Sequence, residues 1–548
     1  MRRRKPKLKE LDIAELMAIV GRTKTSALGA QDHEKLEVAV ETLIWLMSEL
    51  ERRKASIARL RKELSINTKK TEKASTVLKG ADGGEPPQGN AGEEHGEKKE
   101  KKKKKKPKGH GRNGADAYQG AETIKVPHDS LRVGVSCPLC EKGKLYPYKP
   151  LRLVRLRGLG PIQARIWEIE GLRCNLCGEV LRPETPAAVG DKKYDETAAS
   201  MIGLLKYGTG LPFTRLARLE GSLGIPLPVS TQWDIVKDAS KFIAPIYEEL
   251  TRQGAQGDIL YNDDTAMKIL DLLKENEEIE AAGSKERTGM FTTAIVSTSE
   301  GRRIALFFTG RKHAGENLDR VLQHRASGLD PPIQMCDGLS RNLPKDFETL
   351  LANCSTHGRR KFVDIIDNFP QECRHVIEIL AEVYKNDAIT RKEEMSAQER
   401  LRFHQAHSAE LMKALKQWMT EQIAEKKTEP NSSLGAAISY MLNRWDPLTL
   451  FLREPGAPLD NNICERALKK AILHRKNALF YKTENGAGVG DIFMSAIYTA
   501  ELSEVNPFDY LTTLLKHPEE VQRSPHEWMP WNYQATAAAV AEAKAARP

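Results

Sequence analysis

Two short apolar runs, each closed by an aspartate, constrain this chain more than any other feature. Asp263 follows Asp258-Ile259-Leu260-Tyr261-Asn262 and Asp337 follows Ile333-Gln334-Met335-Cys336, so each carboxylate sits where a buried strand would stop. Between them, Phe291-Thr292-Thr293-Ala294-Ile295-Val296 and Arg303-Ile304-Ala305-Leu306-Phe307-Phe308 are rich in β-branched and aromatic residues and read as strands. Glu300-Gly301-Arg302 supplies a hairpin turn, and the stretch from His313 to Leu322 reads as a helix with Leu318, Val321 and Leu322 inward.

The order is strand, hairpin, helix, strand, which is that of an RNase H-like α/β core. In that arrangement the first and fourth strands are parallel neighbours, so Asp263 and Asp337 would lie together at one sheet edge. A third carboxylate comes from Asp460-Asn461-Asn462-Ile463-Cys464-Glu465-Arg466, which with Arg475-Lys476-Asn477 forms a basic helix carrying Glu465. Two divalent ions about 4 Å apart need hard oxygen ligands, one of them bridging. Two strand-end aspartates and one helical glutamate meet that need, which is the outline of a two-metal phosphoryl-transfer site.

These residues resemble the DDE transposases of the insertion sequence 66 family of bacterial mobile elements. The resemblance is carried by Asn262-Asp263-Asp264-Thr265, by Cys354-Ser355-Thr356-His357-Gly358-Arg359-Arg360-Lys361-Phe362, by Asp460-Asn461-Asn462 through Glu465-Arg466, and by Arg475-Lys476-Asn477-Ala478-Leu479-Phe480. The family usually reads Ala-Asp-Glu-Thr at the first motif and often Trp-Ala where Ser355-Thr356 stand. Consecutive strand residues point to opposite faces, so Asp263 and Asp264 cannot both face the ions. The motif match assigns Asp263.

The resemblance implies cleavage of transposon ends and strand transfer into target double-stranded DNA. Two Mg²⁺ (or Mn²⁺) ions would be held by Asp263 as the bridge, with Asp337 and Glu465 on either side. Arg466, Lys469, Lys470, Arg475 and Lys476 would guide the phosphate backbone. His357, Arg359, Arg360 and Lys361 either hold donor or target phosphates or form an exposed face paired with Asp364 and Asp367. A homodimer or higher synaptic assembly, and accessory proteins of the same element, would be partners. Two other classes remain open: a catalytically silent, transposase-derived DNA-binding regulator, and an RNase H-like nuclease that hydrolyses without joining.

Composition is consistent with a polyanionic partner, since 85 basic and 75 acidic residues leave a formal charge of +10 over 548 residues. No stretch approaches 18 apolar residues and no apolar region follows the N-terminal charges, so neither a membrane span nor a secretory signal is expected. The expected location is cytoplasmic, associated with the nucleoid.

Cys137-Pro138-Leu139-Cys140 and Cys174-Asn175-Leu176-Cys177 form two CxxC knuckles separated by residues 141–173. Four thiolates so paired suit one structural Zn²⁺, with no open position for substrate. Leu151–Arg155 and Ile162–Ile166 would make a β-hairpin between the knuckles, giving a zinc ribbon-like module over 121–190.

Upstream, Leu36, Leu43, Leu50, Ile57 and Leu64 recur every seven residues, so 1–67 reads as a basic segment and coiled-coil helix. It either dimerises the chain or packs on it. Residues 68–120, with six consecutive lysines from Lys101 to Lys106, form a disordered linker that either touches phosphates or is a solvated spacer. Residues 191–250 are helical, with a break at Gly224–Pro228 before a helix for which Ser230 is a candidate N-cap. This segment either reads DNA as a helix-turn-helix or packs a bundle through Trp233, Ile235 and Val236. The expected architecture is therefore multidomain α+β, with the catalytic core over 251–345 and 455–500. A large helical insertion fills 346–454, and a C-terminal helix and tail follow at 501–548.

Overall fold

The computed structural model describes residues 192–281, 286–299 and 301–546, with scattered positions between 19 and 186. The coiled-coil heptads after Leu36, the lysine linker and all four CxxC cysteines lie outside the described residues. The chain divides into two compact units, the smaller holding Pro87–Met201 and Phe213–Trp233, the larger holding Ile202–Pro212 and Asp234–Pro548.

In the smaller unit the described strands are β1 (Leu172–Arg173) and β2 (Val180–Leu181), paired antiparallel. The hairpin strand expected at 162–166 is absent from its described positions: residues 160–164 and Ile166 run as bends and irregular backbone. Ile162 is buried instead, its N–H donating to Glu220 Oε1 at 3.3 Å. Strong alternation predicts an extended segment but not its partner, and here a carboxylate takes the bond that a second strand would have taken.

Helices α1 (Glu196–Gly203), α2 (Phe213–Ser222) and α3 (Val229–Gly254) reproduce the expected helix, break, helix pattern. The break is held by Gln232, whose buried amide donates to the carbonyls of Phe213 (3.1 Å) and Leu227 (2.9 Å). Because α3 starts at Val229, Ser230 lies inside the first turn and is not the cap. Val236 is fully buried and Trp233 half-buried, as packing residues would be.

The larger unit is built on one five-stranded mixed sheet: β3 (Ile259–Ala266), β4 (Phe291–Ser299), β5 (Arg302–Gly310), β6 (Ile333–Cys336) and β7 (Leu350–Asn353). Its order is β5-β4-β3-β6-β7, with β3–β4 and β4–β5 antiparallel and β3–β6 and β6–β7 parallel. The β4–β5 turn uses Gly301 at φ 79°, a conformation that suits glycine. The first and fourth strands of the core are parallel neighbours as expected, but β3 is the middle strand, so the two aspartates lie mid-sheet, not at its edge.

Two elements depart from the expected order. Helix α4 (Leu270–Ala281) stands between β3 and β4, its start tied by the Leu270 N–H to the Tyr481 carbonyl (2.9 Å). Strand β7 falls inside the stretch expected to be helical; four residues carry too little period to separate strand from helix, and pairing with β6 decides. Between β6 and β7 the chain is short, whereas α5 (Ala314–Leu322) precedes β6 and buries Leu318, Val321 and Leu322 as predicted.

The helical insertion follows β7: α6 (Ser355–Val363), α7 (Pro370–Lys392), α8 (Ala397–His407), α9 (Ala409–Ala424) and α10 (Ser433–Leu442). It encloses the carboxylate of Asp387, which receives Arg400 at 2.6 Å and also Arg391, with His404 Nε2 3.4 Å away. Burial alone would raise the Asp387 pKa, but His404 and the two guanidinium groups hold it well below the usual range.

Two helices then cover the sheet: α11 (Asn462–Ala478) lies across β3 and β4, and α12 (Glu484–Leu502) across β5. Strand β5 is an edge, and an edge leaves every second residue's backbone groups unpaired. Helix α12 satisfies them with side chains: the Ala305 N–H donates to Thr499 Oγ1 (3.1 Å), the Phe307 N–H to Ser495 Oγ (3.0 Å) and the Thr309 N–H to Asp491 Oδ2 (2.7 Å). Four helical residues rise about 6 Å and two strand residues about 6.8 Å, so an i, i+4, i+8 polar row can follow alternate strand residues. The edge is closed without a sixth strand.

Candidate active site

Asp263 lies on β3 opposite Ala294 of β4, and the side chain of Cys464 on α11 donates to that Ala294 carbonyl at 3.2 Å. The thiol thus seats α11 one residue before Glu465. Asn461 seats it again, its Nδ2 donating to the Asn262 carbonyl (3.1 Å) and its N–H to Cys354 Sγ (3.3 Å). Asp460 caps the turn by accepting the Asn462 N–H at 3.1 Å. Parallel pairing of β6 with β3 ends at Tyr261–Met335, so Asn461 fills the position a longer β6 would have occupied beside Asn262. Asn461→Ala would strand that buried carbonyl and should cost about 1–3 kcal/mol, read as a lower denaturant midpoint with an unchanged m-value.

Asp337 follows the last residue of β6 and is held by its own loop. Asn342 Nδ2 donates to Asp337 Oδ1 at 2.5 Å and the Leu339 N–H donates to it at 3.2 Å. The Asn342 carbonyl in turn accepts the amides of Asn262 and Gln334, each at 2.7 Å. From the helical insertion, Arg444 donates to the Gly338 carbonyl at 3.0 Å.

The structure separates the two adjacent aspartates. Asp264 points to the opposite side, its carboxylate meeting His313 Nδ1 at 2.9 Å and Arg341 at 3.2 Å. Asp263 shares its environment with the other acids: burial first, then Asp337, with Asp264 and Glu465 adding to them, push its carboxyl up to about 7. The Asp264 N–H, donating to Asp263 Oδ1 at 2.8 Å, offsets only part of this.

Asp263 on β3 thus lies within electrostatic reach of Asp337 in the β6 loop and of Glu465 on α11. Glu465 Oε1 is buried with no hydrogen-bond partner among the described residues, and so is His357 Nδ1. A carboxyl crowded by other acids and pushed up to about 7, near an unpartnered carboxylate oxygen, fits hard divalent cations, which would relieve the repulsion and take the free oxygen.

The basic residues named from the sequence divide. On α11, Lys469 and Lys476 lie within about 40° of Glu465 around the helix and both are exposed. Arg466 is exposed and lies near Tyr498. Lys470 and Arg475 turn inward: Lys470 meets Glu501 at 2.8 Å, and Arg475 donates to Thr265 Oγ1 at 3.0 Å and to the Ala266 carbonyl. On α6, His357 Nε2 lies 4.0 Å from Glu465 Oε1, Arg359 and Arg360 are half-buried, and exposed Lys361 sits 4.4 Å over the Tyr440 ring. Sequence reasoning missed Asn342, His313 and Arg341: His313 and Arg341 act on Asp264 from 49 and 77 residues away, and Asn342, though only five residues from Asp337, reads as an ordinary loop residue until the loop folds back.

An acidic site between neighbouring parallel strands of a mixed sheet, flanked by exposed lysines, has the chemistry to hold cations beside a polyanion. Comparison narrows it: the family model described as "Transposase IS66 family" matches residues 193–488, more than half of the chain. The chain belongs to the IS66 transposase family. It is also 26% identical over 382 residues to Uncharacterized protein y4jD of Sinorhizobium fredii (strain NBRC 101917 / NGR234), covering 66% of this chain and 71% of that protein. Uncharacterized proteins y4hP and y4qI of the same strain are each 26% identical, over 61% and 62% of this chain. This chain spans 61% and 63% of their lengths. Among the described residues, no helix is long and apolar enough to cross a membrane.

Proposed function

We propose that this protein is a DDE-type DNA transposase with an RNase H-like core, which cleaves transposon ends and transfers the freed strand into target DNA. The observation that carries the reading is that Asp337 and Glu465, from separate elements, both act electrostatically on the buried carboxyl of Asp263, in a chain that belongs to the IS66 transposase family. Asp263, Asp337 and Glu465 would hold two Mg²⁺ (or Mn²⁺) ions, with Asp263 shared between them and Asp337 and Glu465 each serving one. When bound, the ions supply charge stabilisation to the attacking and leaving oxygens of an in-line displacement at phosphorus.

The chain's own residues orient this site. Asn342 and the Leu339 N–H fix one oxygen of Asp337 and leave the other for a ligand. Asn461 and Cys464 fix the height of Glu465 against β3 and β4. Lys469, Lys476 and Arg466 line the exposed face beside Glu465 and guide the DNA backbone, with His357, Arg359, Arg360 and Lys361 placed for a second stretch of phosphates. Lys470 and Arg475 support α11 instead. By the spacing of the sequence, Cys137, Cys140, Cys174 and Cys177 would hold one structural Zn²⁺, and the N-terminal heptads would join two copies on two DNA ends.

The test is Mg²⁺-dependent nicking and joining of DNA carrying the element's ends. Glu465→Ala should abolish both while retaining end binding. Full cleavage by that variant would remove Glu465 from the site; nicked product without any joined species would favour a nuclease.

A further inference from the structure

We propose that Cys354, His357 and Glu465 form a second metal site, selective for a borderline ion such as Zn²⁺, whose filling withdraws Glu465 from Asp263 and Asp337. The three side chains offer one donor atom each, all within 4.8 Å of one another. A tetrahedral zinc ion with sulfur at 2.3 Å and nitrogen near 2.05 Å sets its ligand atoms about 3.5 Å apart. Side-chain rotations of about an ångström close that gap.

The donors are preplaced. Cys354 is the N-cap of α6 and His357 follows three residues later, one turn on, so both face the same way. The start of α6 is fixed by the Ser355 N–H donating to the Leu459 carbonyl at 3.0 Å. The Asn461 N–H at the sulfur supplies the outer-shell bond that a metal-bound thiolate uses. Glu465 Oε1 is buried with no hydrogen-bond partner among the described residues, and His357 Nε2 lies 4.0 Å from it.

Donor chemistry separates this site from the acidic one. Mg²⁺ takes oxygen ligands and avoids sulfur, whereas a thiolate, an imidazole and a carboxylate suit Zn²⁺ or Co²⁺. On binding, the Cys354 S–H bond breaks, its proton leaves to solvent and a sulfur–metal bond forms; release of the ion reverses this. Three protein ligands leave a fourth position for water. Because Glu465 serves either ion class but not both, Zn²⁺ acts as an off-switch for the Mg²⁺-dependent chemistry. The binding claim stands on the geometry alone, and the inhibition claim rests on the transposase reading of Glu465.

The experiment titrates the full-length protein, without DNA, with Co²⁺ in the presence of Mg²⁺, and counts bound equivalents and thiolate-to-cobalt absorption. Cys354→Ser keeps an acceptor for the Asn461 N–H and should lose one equivalent relative to wild type, with part of the absorption. In a nicking assay, the Zn²⁺ needed for half-inhibition, relative to each protein's own uninhibited rate, should rise at least about tenfold in that variant, the lower end of what even an outer-shell partner contributes. Should Cys354→Ser unfold, His357→Gln serves the same difference measurement. Equal cobalt equivalents in wild type and a folded variant would overturn the site. A lost equivalent with unchanged Zn²⁺ inhibition would overturn the switch and leave the transposase reading untouched.

Discussion

Asp263→Asn should abolish strand cleavage and, at the same time, make the metal-free protein more stable at neutral pH. Both effects come from the same crowding. The Asp263 carboxyl is pushed from an ordinary 3.8 up to about 7 by burial and by Asp337, Asp264 and Glu465. Its folded-state pKa is raised, so between about pH 4 and 7 the native protein holds a proton that the unfolded chain has lost. Its contribution therefore stabilises the fold in acid and is lost as pH rises through about 7.

Metal-free wild type should accordingly melt lower at pH 8 than at pH 5.5, and asparagine should flatten part of that fall. Some slope will remain, because burial also pushes Asp491 up to about 7. Mg²⁺ should raise the wild-type melting temperature by mass action at pH 8, and the asparagine variant should respond far less. Cleavage should drop by roughly a thousandfold or more, as when a preorganised electrostatic partner is lost. An asparagine variant that melts lower at every pH and keeps the full Mg²⁺ response would sink the assignment.

Gly315→Ala should destabilise the protein by about 2–4 kcal/mol and displace Asp337. In an open helix the exchange would gain up to about 1 kcal/mol, so packing must decide the sign. A Cβ at Gly315 would lie 2.1 Å from the Leu343 carbonyl oxygen, 2.6 Å from its carbon and 2.9 Å from the Arg341 carbonyl oxygen. These are backbone atoms that cannot rotate away. They belong to the turn carrying Asn342, the residue that holds Asp337. Either α5 lifts off or the turn moves, and the acid moves with it. Gly488→Ala on α12 is the control, since nothing lies within 4 Å of its built Cβ, and it should be neutral or stabilising. An alanine at 315 that melts like wild type and cleaves normally would refute the link between α5 and Asp337.

Local pattern made much of the core legible. The β-branched and aromatic runs of β4 and β5, the apolar face of α5 and the position of Asp337 just past β6 depend on neighbours only a few residues away, which is the range over which local pattern carries information. Asp263 reads from the sequence as the end of its strand, but pairing with β4 carries β3 on to Ala266 and leaves Asp263 inside it. Strand β7 was not legible, because four residues carry too little period. Nor was α12 as an edge cover, because its polar row of Asp491, Ser495 and Thr499 reads as ordinary helix until β5 lies beside it. Lys470 and Arg475 read as DNA contacts for the same reason: their partners Glu501 and Thr265 lie 31 and 210 residues away.

By itself the sequence determined which residues are acidic, which strands and helices carry them, and the family resemblance that the match over 193–488 bears out. The motif match favours Asp263 of the Asp263-Asp264 pair, and the tertiary structure alone shows what surrounds each of the two. Strand alternation sends the two to opposite faces but does not say which face is which. His313 and Arg341, 49 and 77 residues further on, take Asp264, and the carboxyl left among Asp337 and Glu465 is that of Asp263.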